Sequence, residues 1–100
     1  GLWRASLLDP DNFPERETSG TALFCYAIAW GINNGILNRE IYLPVVKNAW
    51  QGLVGCLDQA GMLGWVQLPG DGARSVTRTD SMDYGTGVFL MAGSEIIKFS

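Results

Sequence analysis

The stretch from Thr21 to Ile32 carries no charge, and ten of its twelve residues are apolar. A helix over these residues would be apolar on every side, so other elements must surround it. The stretch is too short to cross a bilayer, which needs about 20 apolar residues. The pattern therefore predicts a central helix of a larger helical protein.

Polar residues mark both ends of this first helix. Thr18 or Ser19 is predicted to cap its N-terminus, and Glu17 places negative charge beside the positive end of the helix dipole. Gly35, with Asn34 as the alternative, provides the left-handed residue that commonly ends a helix. Both limits of the helix are thus predicted from the sequence.

A second helix is predicted to begin near Arg39, with Asn38 as its cap. Apolar residues then recur at intervals of three and four, at Tyr42, Val45, Val46, Ala49, Trp50, Leu53, Val54 and Leu57. Lys47, Asn48 and Gln51 fall on the opposite side, and we expect the helix to end at 58–61. This spacing predicts an amphipathic outer helix, paired with the inner one as an αα-hairpin.

Residues 84–97 repeat the character of the first helix, with a polar, glycine-containing start and a nearly apolar body. They are predicted to form a second inner helix capped by Ser81 or Asp83. The segments 1–8 and 62–68 have an extended or strand-like character, and 69–75 is a loop by composition. We therefore predict an all-α fold of about three helices, with a long loop and a short extended arm.

The composition is more apolar than expected for a small domain. Only 17% of the 100 residues are charged and 47% are hydrophobic, whereas about 25% charged residues are typical. The net charge of −3, from seven basic and ten acidic residues, argues against nucleic acid as a partner. We expect a segment of a longer protein, with no membrane partner, that self-associates through its apolar helix faces when isolated.

The two cysteines give no sign of a metal site. Cys25 and Cys56 fall far apart inside predicted helices, and the chain contains no histidine. They are interpreted as small buried apolar residues rather than zinc ligands. We expect no metal and no cofactor.

Several motifs occur in an order that resembles a known group of enzymes. They are Gly-Leu-Trp near position 3, Glu-Thr-Ser-Gly-Thr-Ala-Leu-Phe at 17–24, Tyr-Ala-Ile-Ala-Trp-Gly-Ile-Asn-Asn-Gly at 26–35, Tyr-Leu-Pro-Val-Val at 42–46 and Tyr-Gly-Thr-Gly-Val-Phe-Leu-Met-Ala-Gly-Ser-Glu at 84–95. Together they resemble the C-terminal part of the unsaturated glucuronyl and rhamnogalacturonyl hydrolases, glycoside hydrolase families 88 and 105. The resemblance covers essentially the whole chain.

The resemblance implies that residues 1–100 are the C-terminal fragment of a single catalytic domain with an (α/α)6 barrel fold. Such enzymes release unsaturated uronic acids from oligosaccharides made by polysaccharide lyases, by hydrating the 4,5-double bond. An aspartate acts as general acid and base there, and a histidine helps to hold the sugar. Those motifs lie upstream in the family, so we expect no catalytic residue in this chain and no activity from it alone.

Six residues are candidates for substrate binding, and each has a structural alternative. Trp3 offers a flat face to a sugar ring, or it is a packed loop aromatic. Glu17, Thr18 and Ser19 would lie where a helix end faces a uronate carboxylate, or they only cap the helix. Tyr84 and Thr86 open the second inner helix at the same end of the barrel, with the same alternative.

Other residues are assigned mainly structural roles. Trp65 and Gln67 could form a wall of the cleft, although packing is the favoured interpretation. Trp30 and Trp50 are expected in the core. Asp80 and Asp83 could suggest a pair of catalytic carboxylates, but solvated loop aspartates are far commoner.

The sequence is consistent with three functions: a fragment of an unsaturated uronyl hydrolase, a non-catalytic helical binding or scaffold module, and another α/α-barrel carbohydrate enzyme. The upstream sequence would distinguish them, because the aspartate and histidine motifs belong there.

Overall fold

Three α-helices form in the order that the hydrophobic pattern predicts, in a computed structural model that describes residues 1–69 and 75–99. Helix α1 spans Thr18–Asn33, α2 spans Arg39–Val54 and α3 spans Asp83–Ile96, followed by one 3-10 turn at Ile97–Phe99. Most of the predicted 69–75 loop lies outside the described residues. None of the helices in the described ranges is long and apolar enough to cross a membrane.

The two inner helices run parallel and the outer helix runs against them. At their C-terminal ends, Asn33 Nδ2 donates to the Glu95 carbonyl oxygen at 2.9 Å. At the start of α2, Arg39 Nη2 donates to the carbonyl of Phe99, just beyond the end of α3, at 3.3 Å. The amino ends of α1 and α3 therefore lie at one end of the molecule, together with the end of α2.

The core lies where α1 meets α2 and α3. Its fully buried members on α2 are Val46, Ala49 and Leu53, which lie on the predicted apolar face. Val45 and Val54, predicted on the same face, are 37% and 45% exposed. Trp50 extends the core toward α3 by stacking on Phe89, with ring centroids 4.8 Å apart. The molecule measures 35 × 32 × 20 Å, and 20 Å is the depth of two packed helices of about 10 Å each.

The opposite faces of α1 and α3 expose large apolar side chains. Leu23 and Trp30 of α1 are 51% and 43% exposed, and Leu90 and Met91 of α3 are 64% and 45% exposed. The prediction that Trp30 packs in the core is therefore wrong for this chain, because its side of α1 faces away from α2 and α3. Both inner helices are apolar on faces that the described residues leave uncovered.

The N-cap of α1 differs from the prediction by one residue. Glu17 is the cap, and its carboxylate accepts the Gly20 N–H at 3.0 Å. Thr18 is already the first helical residue, whereas Glu17 before it has the extended conformation of a cap. The Thr18 hydroxyl donates to the Gly64 carbonyl at 2.7 Å. The Ser19 hydroxyl donates to the Glu17 carboxylate. The predicted cap residues thus support the cap instead of forming it.

The other helix ends agree only in part with the prediction. Asn38 caps α2, accepting a backbone N–H of the first turn at 3.1 Å, and Gly35 is left-handed with φ 72°. Helix α3 instead begins after Met82, which makes no side-chain capping bond. The predicted caps Ser81 and Asp83 are wrong, because the former precedes the cap and the latter is already helical.

Helix α2 ends at Val54, earlier than the predicted 58–61, and the chain then turns. Asp58 Oδ1 accepts the backbone N–H groups of Ala60 and Met62, each at 2.9 Å. Among the described residues, β pairing is confined to isolated bridges between Arg4 and Arg16 and between Leu57 and Leu63. The segments 1–8 and 62–68 are therefore extended arms and not strands.

Both cysteines are buried free thiols, as predicted. Burial raises the pKa of the Cys25 thiol to about 11, so this sulfur stays protonated and unreactive near neutral pH.

The contacts of the Glu95 carboxylate at the C-terminal end of α3 are expected to be sensitive to acid. Its carboxylate accepts from Lys98 Nζ at 2.8 Å and from Asn33 Nδ2 at 3.1 Å, and the Lys98 bond, followed by the Asn33 bond, lowers the pKa of Glu95. A carboxyl group whose pKa is lower in the folded state stabilises the protein at pH values above its unfolded-state pKa of about 4.3. This stabilisation is lost as the pH falls through the folded-state pKa.

We therefore expect wild type to melt above the Glu95→Gln variant at pH 6 or so, and this difference in Tm to shrink as the pH falls below about 4.3. Thermal denaturation of both proteins across this range measures the difference, with the exposed Glu40→Gln as the matched control. A difference in Tm that does not change with pH would contradict the assignment.

Candidate functional site

The amino ends of α1 and α3 meet the extended arm at 65–67. The Thr18 N–H donates to the Trp65 carbonyl at 2.9 Å, and the Gln67 N–H donates to Glu17 Oε1 at 3.3 Å. The Tyr84 hydroxyl donates to the Gln67 carbonyl. These contacts bring Glu17, Ser19, Gln67 and Tyr84 together, and we call these four residues the amino-end cluster.

Glu17 is the centre of the amino-end cluster. It is a buried residue, and its carboxylate accepts from the Gly20 N–H, the Ser19 hydroxyl and the Gln67 N–H. Partial burial, and secondly the charge of Glu17, raise the pKa of Tyr84. The phenol therefore remains protonated at neutral pH and acts as a hydrogen-bond donor. The cluster combines one carboxylate with two hydroxyls and a half-buried amide.

Trp3 lies beside the cluster. Its carbonyl accepts the Glu17 N–H at 3.1 Å, and its N–H donates to Thr21 Oγ1 at 3.0 Å. Its ring meets Phe24 edge to face, with centroids 5.0 Å apart. The backbone of Trp3 is thus fixed to the first turn of α1, and its half-buried ring borders the exposed apolar face of that helix.

Two further candidates have different surroundings. Thr86 is exposed on the first turn of α3, at the same end as Tyr84. Thr18 is fully buried, and its hydroxyl donates to Gly64. The structure therefore brings four of the six candidates to the surface of one end, whereas Glu17 and Thr18 are buried beneath that surface.

A cavity of about 690 Å³ lies near this end, between the end of α2 and the arm. Its lining includes Cys56, Asp58, Trp65, Arg78 and Thr79. The sequence gives no signal for it, because its walls come from segments far apart in the chain. The interpretation of Trp65 as a packing residue is incomplete, since its ring also lines this cavity.

Trp65 is the only non-glycine residue with positive φ in the described ranges, at 60°. Bonds on both sides fix this left-handed conformation: the Trp65 N–H donates to the Thr77 carbonyl at 3.2 Å, and its carbonyl accepts from Thr18. The Arg16 guanidinium lies over the indole, 5.2 Å from the ring centroid. Such backbone strain is found mainly where surrounding contacts enforce it, often at functional sites.

Asp80 and Asp83 have separate structural positions. Asp80 Oδ2 accepts the Thr77 N–H at 2.8 Å, and the Asp80 carbonyl accepts the Val66 N–H at 3.0 Å. Asp83 is the first residue of α3. These contacts explain Asp80 as the residue that closes a turn and attaches it to the arm.

Two curated proteins are similar to nearly the whole chain. An unsaturated 3S-rhamnoglycuronyl hydrolase of Formosa agariphila is 46% identical over 98 residues, which are 98% of this chain and 26% of that protein. A protein of the same name from an Alteromonas species is 40% identical over 97 residues, or 97% of this chain and 24% of that protein. The chain thus spans about a quarter of the length of these relatives.

Solved structures have the same architecture. A glycosyl hydrolase family 88 protein from Bacteroides vulgatus superposes with a TM-score of 0.91 at 43% identity, covering 99% of this chain and 30% of that one. A second, described as a polysaccharide lyase, gives 0.87 at 37% identity, covering 98% of this chain and 29% of that one. The predicted all-α fold, part of an (α/α)6 barrel, is confirmed.

The family assignment rests on the whole chain. The family model described as Glycosyl Hydrolase Family 88 matches residues 1–100, in agreement with the motifs at 17–35 and 84–95. Because the match extends from the first residue to the last, the chain belongs to glycosyl hydrolase family 88.

Proposed function

We propose that residues 1–100 are the C-terminal part of a single α/α-barrel catalytic domain, in an enzyme that releases unsaturated uronic acid from oligosaccharides made by polysaccharide lyases. The observation that carries this proposal is the family 88 match over all 100 residues. The names of the two curated relatives support the substrate class.

The reaction we propose is hydration of the 4,5-double bond of the terminal sugar. A general acid donates a proton to C4, and a water molecule, deprotonated by a base, adds to C5. The resulting hemiketal opens to a ketone at C5, which leaves a hemiacetal at C1. Collapse of this hemiacetal to an aldehyde breaks the glycosidic bond and releases the second sugar as an alcohol. This chain contains no histidine. Within residues 1–69 and 75–99, the one buried aspartate or glutamate at the site end is Glu17, which is already held by three hydrogen-bond donors. The proton-transfer residues are therefore proposed to lie in the rest of the protein.

The contribution of this chain is proposed to be substrate binding. The Glu17 carboxylate occupies the amino end of α1 and leaves little room for a uronate carboxylate beside the helix. Because it is buried, Glu17 is proposed to act by positioning Ser19 and the arm at Gln67 for the sugar. Ser19, Tyr84 and Thr86 present further hydroxyls, and the Trp3 ring offers an apolar face to a sugar. Thr18 acts indirectly, by holding the arm at Gly64. The proposal involves no cofactor or metal.

The test is an assay of the full-length protein with an unsaturated uronyl disaccharide. Loss of the ultraviolet absorbance of the 4,5-double bond, together with release of the second sugar, is expected. The 100-residue chain alone is expected to be inactive. An inactive full-length protein, or an active isolated chain, would refute the assignment.

Tyr84→Phe in the full-length protein is predicted to raise KM about fivefold with kcat nearly unchanged, because one neutral hydrogen bond contributes about 1 kcal/mol to binding. Steady-state kinetics measure both constants. Tyr42→Phe removes the same hydroxyl from a half-buried residue packed against the core and serves as the control. An equal rise in KM for the two variants would remove Tyr84 from the site.

The main alternative is a helical binding or scaffold module, and the exposed apolar faces favour it. Leu23 and Trp30 on α1, and Leu90 and Met91 on α3, are at least 43% exposed. We infer that the isolated chain self-associates through these faces, since large uncovered apolar patches promote association. The net charge of −3 supports the further inference that nucleic acid is not a partner, and no membrane partner is proposed.

Light scattering of the purified 100-residue chain measures this association. We expect dimers or larger species at concentrations of about 10 µM and above, where exposed apolar surface promotes association. The double variant Leu23→Ser with Leu90→Ser should shift the distribution toward monomer. A wild-type chain that remains a stable monomer would contradict the inference.

A further inference from the structure

The connection from α1 to α2 begins with an asparagine followed by a glycine, Asn34 and Gly35. Asparagine is one of the chemically labile residues of proteins. Its side-chain amide can be attacked by the backbone nitrogen of the next residue, most readily when that residue is glycine and has no side chain to obstruct the approach. Both residues are exposed, and a Cβ atom at Gly35 would meet no other atom within 4 Å. The pair therefore has space for this reaction.

Hydrogen bonds hold the pair in a conformation that does not react. Asn34 Nδ2 donates to the Trp30 carbonyl at 2.9 Å. The Gly35 N–H donates to the Ile32 carbonyl at 3.2 Å. Because Asn34 has ψ 12°, the Gly35 nitrogen nearly eclipses the Asn34 backbone nitrogen and lies away from the side chain. Attack on Asn34 Cγ therefore requires both bonds to break and ψ to rotate.

Opening of the C-terminal cap of α1 is expected to be a local event. Helix ends and exposed connections open at a much lower free energy than the core of a protein. Since Asn34 and Gly35 are both exposed, their rotation does not require the packed helices to separate. The cap therefore slows the reaction without preventing it.

We propose that Asn34 is a site of spontaneous deamidation, which proceeds in the folded protein when the cap of α1 opens. The Gly35 nitrogen gives up its proton and attacks Asn34 Cγ, the bond from Cγ to Nδ2 breaks, and the amide nitrogen leaves with a proton as ammonia. Water then hydrolyses the succinimide. Cleavage of its bond between the Gly35 nitrogen and Cγ gives aspartate, and cleavage between this nitrogen and the Asn34 backbone carbon gives isoaspartate. The proposal is independent of the hydrolase function.

Either product would weaken the cap. An aspartate at position 34 has no side-chain N–H group to donate to the Trp30 carbonyl. Its negative charge would lie at the C-terminal end of α1, where the helix dipole disfavours it. The Glu95 carboxylate is close to this end, since it accepts from Asn33 Nδ2 at 3.1 Å, and it adds to the repulsion. Isoaspartate also lengthens the backbone of the short connection 34–38.

The test is peptide mapping of the full-length protein after incubation at mildly alkaline pH, either folded or unfolded in guanidinium chloride. Trypsin cuts after Arg16 and Arg39 and releases residues 17–39 as one peptide, in which mass spectrometry locates the lost amide. In the folded protein, Asn34 is expected to convert faster than the asparagines at 12, 38 and 48, which are also exposed but precede residues with side chains. Unfolding should accelerate conversion of Asn34 about tenfold or more, as release of two hydrogen bonds predicts.

Conversion of Asn34 in the folded protein that is no faster than at the other three asparagines would overturn the site. Equal rates in the folded and unfolded protein would overturn protection by the cap. The variant Asn34→Asp, which reproduces one product, should have a lower Tm than wild type. Asn48→Asp makes the same change on the exposed side of α2 and is the matched control. Equal melting temperatures for these two variants would overturn the effect of deamidation on the cap.

Discussion

Replacing Gly64 with alanine is expected to destabilise the full-length protein by about 1 to 3 kcal/mol, as overpacking typically does. A Cβ atom at this position would lie 1.9 Å from the carbonyl oxygen of Arg78. Backbone has to move to relieve this contact, yet Gly64 is fixed on both sides. Its N–H donates to Cys56 at 3.1 Å, and its carbonyl accepts the Thr18 hydroxyl at 2.7 Å.

Thermal denaturation measures the change, and a fall in Tm of roughly 2 to 4 °C per kcal/mol is expected for a protein of moderate size. Gly55→Ala is the matched control, because its new Cβ would meet atoms no closer than 3.4 Å and the residue has φ −65°. Equal melting temperatures for the two variants would show that the approach of Gly64 to Arg78 is looser than described.

Leu53→Ala is expected to cost about 2 to 5 kcal/mol, the range for removing a buried leucine side chain and leaving a cavity. Leu53 is fully buried in the cluster that joins α1 and α2, together with Val46 and Ala49. These neighbours belong to rigid helices and cannot close the space. Urea denaturation of the full-length protein measures the free energy of unfolding.

Val54→Ala provides the control for this change. Val54 is the next residue along α2 and is 45% exposed, so its truncation should change the free energy of unfolding by less than about 1 kcal/mol. Similar losses in the free energy of unfolding for the two variants would mean that α2 does not direct Leu53 into the core and Val54 away from it.

The helices could be predicted from the sequence because their signals are local. The uncharged run 21–32 predicts α1, and the spacing of three and four predicts the buried residues of α2. Asn38 can be predicted as a cap because the backbone N–H that it accepts belongs to Ile41, in the next turn. Patterns of this kind need no knowledge of the rest of the chain.

The failures arise where the partner is distant in sequence. Thr18 is the first residue of α1 and not its cap, and its hydroxyl donates to Gly64, 46 positions away. The φ of Trp65 depends on bonds to Thr18 and Thr77, and no local rule predicts a left-handed tryptophan. The cavity could not be predicted for the same reason, because its walls come from segments far apart in the chain. The roles of Trp3, Glu17, Ser19, Tyr84 and Thr86 in sugar binding stay predictions.

Because α1 and α3 run parallel, the connections at the two ends of the molecule differ in how much their length can change during evolution. Only residues 34–38 join α1 to α2 at the far end, whereas 55–82 return the chain to α3 at the end that carries the cluster and the cavity. An insertion in the short connection would separate packed helices, but the long connection can vary in length while both helices stay in place. Relatives that have diverged in substrate preference should therefore differ mainly within 55–82.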